Sequence, residues 1–340
     1  MKFAKWMLML CLYFIITHAG AATDRLSSSI ALAQHFLIQQ FEQGHDGLEC
    51  TTIGKTRCPV SNTGKTIVGY YIQIALGDKL PASVAKKMLS RLSDERHHPK
   101  WLWGYTKGTM SDTDDTAYAL QTLLQMKKPV QIRDFHDFLN SQHHAFKTFL
   151  NDKKIGLASL PSEENNDGLH LEVNANIFYL FHLLNHQDMI NYDLIIKQQS
   201  PNGSWEGYFY PGNYFATFMS MRLLCASQKY QPVIKKGLDF LYQSQHKNGS
   251  WGTPYDTGLA LNTLLSCSTA NQNVIQKGVE YLLGTQEPQG DWSNKNSIWF
   301  FVYEEDPLTI WIADDNWHTL TTAINLMVLS LYQSRLNHQS

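Results

Sequence analysis

The chain is 340 residues long and poor in charge: Asp, Glu, Lys and Arg make up 17% of it, and the formal net charge is −2. No block of like charge occurs. Nucleic-acid binding needs a basic face, so that class of partner is excluded. Proline and glycine number only 11 and 21, which rules out collagen-like and linker-like sequence. With 43% hydrophobic residues, the chain is not intrinsically disordered. No stretch reaches the ~18 apolar residues of a membrane-spanning helix. H-E-x-x-H, C-x-x-C and G-x-S-x-G are all missing. Metalloprotease, thiol-redox and serine-hydrolase chemistry therefore have no motif, and neither a metal nor a cofactor is expected. The surplus is aromatic, with Trp 9, Tyr 16 and Phe 16.

At the N-terminus, Lys2 and Lys5 accompany an apolar stretch from Trp6 to Ile16, and Ala19-Gly20-Ala21 offers a small-residue cleavage site. This is the pattern of a secretory leader. Residues 1–21 are expected to be a signal peptide and 22–340 a single domain, periplasmic or secreted; an uncleaved anchor is the alternative. Export permits disulfides. Cys50 and Cys58 share a polar loop and could pair. Cys225 and Cys267 fall near matching ends of two repeated helices and could pair or stay as buried thiols.

The chain repeats itself. Q-x-x-x-G-x-W occurs at Gln199–Trp205, Gln245–Trp251 and Gln286–Trp292, with weaker copies at Gln43–Gly47 and His98–Trp101. Each full copy follows an amphipathic helix and precedes a more apolar one. Outer helices are predicted near 24–42, 82–93, 130–143, 186–199, 232–245 and 271–286. Inner helices are predicted near 64–77, 114–127, 172–185, 214–227, 256–267 and 317–334. No pair can bury its apolar face alone, so stacking six hairpins in a ring closes the core. The expected fold is all-α, an α6/α6 toroid around a central cavity; a straight solenoid would need polar capping helices that are not there.

These loops resemble the repeated Gln–Trp motif of the terpene cyclases (squalene-hopene and oxidosqualene cyclases), whose toroid is shared with the protein prenyltransferase β subunits. The resemblance covers nearly the whole mature chain. It implies structural roles for the loops, Gln capping a neighbouring helix and Trp stacking on it, and no catalytic part. The prenyltransferase zinc site has no counterpart: Thr257 and Gly258 follow Asp256, and no cysteine lies near an inner-helix start.

Asp112-Thr113-Asp114-Asp115 opens the second inner helix. A helix N-terminus favours anions, but crowded carboxylates repel and one is left holding a proton. The sequence matches the D-x-D-D of class II terpene cyclases, which protonates an alkene or epoxide. The resemblance implies Asp114 as general acid, tuned by Asp112 and Asp115. Asp256-Thr257 aligns with Asp115-Thr116, and Asp and Thr are common caps, so Asp115 is in part a repeat feature; Asp112 and Asp114 are not.

Aromatic residues at the same end of the ring, Tyr214, Tyr255, Trp317, and Trp299, Phe301, Tyr303 and Trp311 of a long 293–315 loop, are candidate substrate contacts, because ring faces attract a carbocation. His318 could bond the acid cluster. The partner implied is an apolar isoprenoid or other small molecule in the cavity, with peripheral membrane contact left open. Full cyclases use two such domains, and this chain has length for one. Two other readings stand: a carbohydrate-active toroid using Asp112 and Asp114 with Glu172 or Asp314 and Asp315, and a non-catalytic ring binding a peptide, lipid or protein.

Overall fold

A computed structural model describes residues 24–54, 57–58, 62–107, 109–150, 168–267, 270–294, 296–303 and 309–339. The expected leader, 1–21, lies outside these residues. In chain order come α1 (24–43), β1 (Leu48–Ile53), β2 (Asn62–Thr63), α2 (Lys65–Leu76), α3 (Ala82–Glu95), β3 (Trp103–Gly104), β4 (Ser111–Asp112) and α4 (Thr113–Gln125). Then follow β5 (Leu139–Asn140), β6 (Ala145–Phe146), α5 (Leu171–Leu183), α6 (Tyr192–Lys197), α7 (Tyr214–Ser227), α8 (Gln231–Ser244), α9 (Pro254–Ser266) and α10 (Gln272–Thr285). The chain ends with β7 (Trp299–Tyr303), β8 (Thr309–Asp314) and α11 (Thr319–Gln339).

The fold is mostly helical, and two kinds of helix differ in burial as the sequence suggests. In α2, 10 of 12 residues are buried, from Thr66 to Leu76. In α3, only Val84, Met88 and Leu92 are, one stripe at helical spacing. The apolar helices pack in sequence, α2 on α4, α4 on α5, α5 on α7, α7 on α9 and α9 on α11, and α11 returns to α2. The first helix is also tied to the C-terminal half at the periphery, where Arg25 donates to the Leu283 carbonyl of α10 and Gln333 of α11 to Ser27.

The Gln–Gly–Trp loops repeat their bonds. Gln199, Gln245 and Gln286 each donate from Nε2 to the carbonyl of their own loop glycine, and to a carbonyl of the next peripheral helix: Val233, Val274 and Ser29. The last bond joins the C-terminal half to α1. Trp205, Trp251 and Trp292 donate their indole N–H to Ile195, Leu241 and Leu282, in the last turns of α6, α8 and α10. Those carbonyls lie in the last turn, beyond the reach of an intrahelical backbone amide, and each bond contributes about 1 kcal/mol. Gly203 has φ +97°, and a Cβ there would lie 2.2 Å from the Lys236 carbonyl oxygen, so only glycine fits. A fourth loop does the same with Trp103, whose indole bonds the Leu92 carbonyl. The weak copy expected at Trp101 is therefore carried by Trp103; Trp101 packs beside it, edge to face.

Other expectations fail locally. The predicted outer helix 130–143 is a 3-10 turn, Arg133–Phe138, followed by the β5–β6 pair. In that geometry side chains three apart eclipse, and Phe135 and Phe138 both point inward, Phe135 against Phe146 and Phe181. Of the 186–199 prediction, a 3-10 turn and the six-residue α6 form, capped by Asn191. The 293–315 segment, expected to lack secondary structure, contains the β7–β8 hairpin. With β1 and β2 it makes an antiparallel sheet in the order β2-β1-β8-β7. Trp299-Phe300-Phe301-Val302-Tyr303 and Ile310-Trp311-Ile312 are rich in strand formers, a signal hidden by their position between two repeats. Both cysteine pairs are bridged, Cys50–Cys58 and Cys225–Cys267. Closing the 42-residue separation of the second contributes about 4 kcal/mol in the chain-entropy treatment.

Candidate active site

Asp112 ends β4, opposite Trp103, and is the N-cap of α4. Its Oδ1 accepts the Asp115 amide at 2.7 Å, and its carbonyl accepts the Thr116 hydroxyl at 2.6 Å. The cap places Asp114 and Asp115 in the first turn, so three carboxylates meet at one helix end. Asp112 and Asp115 are buried; Asp114 is half-buried. Burial, and then the Asp114 charge, push Asp112 up to about 8 against the bonds that stabilise its anion. Asp115 is raised well above the carboxylate range by burial and then by Asp112. Asp114 is raised well above that range too, by burial and then by Asp115, while the amide of Asn176 opposes. Loss of solvent disfavours every anion here, and each carboxylate makes its neighbour's ionisation harder. The cluster holds reserve protons near neutral pH.

The three aspartates line one cavity with Ile67, Tyr105, Thr148, Phe149, Phe209, Tyr210 and Trp299. It is narrow, about 40 Å³, room for a few waters. Trp299 stacks on Tyr105 at 4.6 Å and lies 6.2 Å from Phe209. Behind the wall, Tyr70, Tyr71 and Tyr118 form a buried cluster with ring centres 5.1 to 6.0 Å apart.

Of the predicted substrate contacts whose side chains are described, Trp299 is the one that lines the cavity of the acid cluster. The side chains of Phe301 and Tyr303 lie outside the described residues, as do Glu304, Glu305 and Asp306. Trp311 packs against the core from β8. Trp317 stacks on His45 at 5.1 Å. Tyr214 rests on Phe240 at the start of α7, and Tyr255 is buried with its hydroxyl unbonded. His318 does not reach the aspartates: its Nδ1 meets Asp291 Oδ2 at 2.5 Å. Glu172 and Asp315, offered as partner carboxylates, act as backbone acceptors. Glu172 Oε1 takes the Tyr208 and Phe209 amides, both at 2.8 Å, and Asp315 takes those of Leu320 and Thr321 at the start of α11.

Sequence reasoning missed Tyr105, Phe149, Phe209 and Tyr210. A signal existed for two of them: Tyr208-Phe209-Tyr210 is an aromatic run between a Gln–Gly–Trp loop and the helix after it. Beneath the acid lies a polar group made by Asn176 on α5, Arg222 on α7, Gln121 on α4 and Tyr70 on α2; of these, sequence reasoning missed Arg222, Gln121 and Tyr70. Among the described residues, no group of three or more His, Cys, Asp or Glu side chains is arranged to hold a metal ion, and no helix is long and apolar enough to cross a membrane.

Comparison with known proteins bears on this arrangement. A variant of the type II terpene cyclase MstE from Scytonema, bound to its substrate geranylgeranyl dihydroxybenzoate, superposes with a TM-score of 0.71 at 19% identity, covering 92% of this chain and 99% of that one. A protein from Actinoplanes gives 0.68 at 17% identity, over 90% and 99%. The ent-copalyl diphosphate synthase of Streptomyces platensis gives 0.56 at 18%, covering 78% of this chain and 50% of that one. At such identities the likeness is one of fold. No curated protein sequence matches. The model of the squalene-hopene cyclase C-terminal domain matches residues 93–300, which include the three aspartates and all three Gln–Gly–Trp loops. The chain belongs to the squalene-hopene cyclase C-terminal domain family.

Proposed function

We propose that the protein is an exported class II isoprenoid cyclase, built on an α6/α6-like toroid of a single domain. Asp114 protonates a terminal alkene or epoxide, and Asp112 and Asp115 sustain its acidity. One observation carries this reading: carboxyl groups kept protonated by burial and mutual repulsion face a cavity walled by Tyr105, Phe149, Phe209, Tyr210 and Trp299. A buried acid supplies the proton, and ring faces stabilise the positive charge that water would otherwise quench. The MstE complex holds a geranylgeranyl-bearing small molecule in the same fold, in keeping with an isoprenoid ligand. The Gln–Gly–Trp loops serve as staples of the ring. Two disulfides suit an oxidising compartment, in keeping with export. The carbohydrate reading loses support, because one oxygen of Glu172 and both oxygens of Asp315 accept backbone amides.

The cavity's size favours a second reading. At about 40 Å³ it admits no polyprene unless Phe149, Tyr105 or Trp299 moves, and a ring that stays this closed is a non-catalytic binding protein. Incubation with squalene, oxidosqualene and a long prenyl diphosphate separates the two, with products analysed by mass spectrometry beside Asp114→Asn. A cyclic product that disappears in the variant is the expected result. No cyclic product from any substrate, or one indifferent to the substitution, sinks the cyclase reading.

A further inference from the structure

Arg222 is the one Lys or Arg in the buried helix α7, and it is only 8% exposed. Among the described residues no carboxylate forms an ion pair with it. Its guanidinium lies 4.0 Å above the Tyr179 ring, and its bonds run toward the acid rather than to a counter-ion. NH1 donates to the Tyr70 hydroxyl at 3.0 Å, and that hydroxyl donates to Gln121 Oε1 at 2.9 Å. NH2 donates to Asn176 Oδ1 at 3.2 Å, and Gln121 Nε2 donates to the same oxygen at 2.7 Å. Asn176 Nδ2 then donates to Asp114 Oδ1 at 2.8 Å. Asn176 and Gln121 are fully buried, and Tyr70 nearly so.

The direction of every link follows from one residue. A guanidinium has donors and no acceptor. The Tyr70 oxygen must therefore accept from it and pass its own proton to Gln121, which turns the Gln121 amide nitrogen toward Asn176. The Asn176 oxygen, claimed by two donors, faces inward, so its N–H faces Asp114. Asp114 Oδ1 can then only accept. The proton of a neutral Asp114 must sit on Oδ2, which no described group bonds, on a residue of the cavity wall.

We propose that Arg222, acting through Tyr70, Gln121 and Asn176, is a positioning residue that fixes which oxygen of Asp114 carries the transferable proton and presents that proton to the cavity. The inference rests on the reading of Asp114 as the acid and goes beyond it, since Arg222 lies behind the wall and touches no ligand. The charges and titratable groups around Asp114 are Asp112 and Asp115 on its own turn, Tyr118 further along α4, Glu172 on α5, Tyr71 on α2, Tyr210 before α7, and Arg222. Only Arg222 is a cation. Its field and the Asn176 bond both favour the Asp114 anion, so removing either makes the acid weaker and keeps it protonated to higher pH.

The test is a carboxyl-carbon NMR titration of the full chain carrying ¹³Cγ-aspartate, with the Asp114 signal assigned by Asp114→Asn, run beside the pH–rate profile for whichever isoprenoid is cyclised. Arg222→Met and Asn176→Leu should each raise the Asp114 midpoint by roughly 0.5 to 1 pH unit. Each should also lower turnover by about 10²-fold and move the alkaline limb upward. Arg222→Lys, which keeps a donor-only cation, should hold the midpoint near the parent value. If Arg222→Met fails to fold, Asn176→Leu and Arg222→Lys decide. A midpoint that moves while no substrate is turned over supports the positioning role and refutes only the cyclase reading. A midpoint unchanged in Asn176→Leu and in every folded Arg222 variant overturns the proposal.

Discussion

Helices α4 and α9 begin with the same device and put it to different use. In α9, the Thr253 hydroxyl accepts the Asp256 amide at 3.1 Å, and Asp256 Oδ2 accepts the Thr253 amide at 3.1 Å and its hydroxyl at 2.8 Å. This is a complete capping box. In α4, Asp112 stands where Thr253 does and accepts the Asp115 amide in the same way. The next residue is also equivalent: Thr116 and Thr257 each accept the backbone N–H of the preceding loop's tryptophan, Trp103 or Trp251. Asp114 corresponds to Tyr255. At α9 an anion is bonded by a neutral hydroxyl, and the pair is spent on structure. At α4 the hydroxyl is replaced by a second carboxyl, and Asp115 Oδ1 is left buried without a partner. Replacing Thr by Asp and Tyr by Asp turns a helix cap into a store of protons.

Breaking the comparison at its centre should have the largest effect. Asp114→Asn keeps the shape and an acceptor for Asn176 but has no proton to give, so cyclisation should fall by about 10³-fold or more. Stability should hold or rise, because the native site no longer accommodates a group whose ionisation it resists. Tyr255→Phe, at the equivalent place in α9, removes a hydroxyl with no partner and should leave the thermal midpoint within a degree or two. Product analysis and melting curves on both variants check the contrast; an active Asp114→Asn would dissolve it.

Next in size is Asp112→Thr, which rebuilds the α9 cap in α4. Threonine still accepts the Asp115 amide, so the helix start survives. Asp115 loses its repelling neighbour, its affinity for the proton falls, and turnover should drop about 10- to 10²-fold. The pH dependence of stability changes as well. Asp112 titrates near 8 when folded and near 4 when unfolded. Between these values the native state holds a proton that the unfolded chain has released, so stability is greatest near pH 4 and falls as pH rises toward 8. Urea unfolding from pH 5 to 9 should show that decline in the parent and a shallower one in Asp112→Thr. Equal slopes would place the linkage elsewhere, with Asp114, Asp115, Asp315, Asp256 and Glu95 the remaining raised carboxyls.

Much of this comparison was legible in the sequence. Asp115-Thr116 aligns with Asp256-Thr257 in the sequence, and in the structure both aspartate amides bond the cap residue and both threonine hydroxyls accept a tryptophan amide. The apolar helices are visible because most of their residues are buried, and the Trp loops because Gln, Gly and Trp recur in them at one spacing. The 130–143 segment reads as an α-helix because the spacing by three of Phe135 and Phe138 suits an α-helix as well as the 3-10 turn that forms, and only the packing of Phe135 against Phe181 decides. The β7–β8 strands were hidden by being an insertion that no repeat predicts. Arg222 carried a signal that went unused: a lone cation in Phe215–Cys225, a segment buried throughout, must have partners. Those partners come from α2, α4 and α5, and no reading of α7 alone could name them.

The smallest effect tests whether pairing or burial makes the α4 acids. Thr253→Asp gives α9 the same two carboxylates, and Asp is as good an N-cap as Thr, so near pH 4 the variant should match the parent. Above pH 5 both groups ionise within one helical turn, and a pH-dependent loss should appear. It should be small, about 0.5 kcal/mol on the scale of exposed charge pairs, because burial is the first cause of the raised affinity at Asp112, Asp114 and Asp115 and repulsion the second. Asp256 is half-buried and has bonds that already favour its anion. A loss of several kcal/mol would mean that pairing alone suffices, and that any crowded cap in this fold could become an acid. A small one leaves the cavity wall of Trp299, Phe209 and Tyr210 as the agent: by excluding water around Asp114, those rings keep the proton on the acid as well as shaping the site.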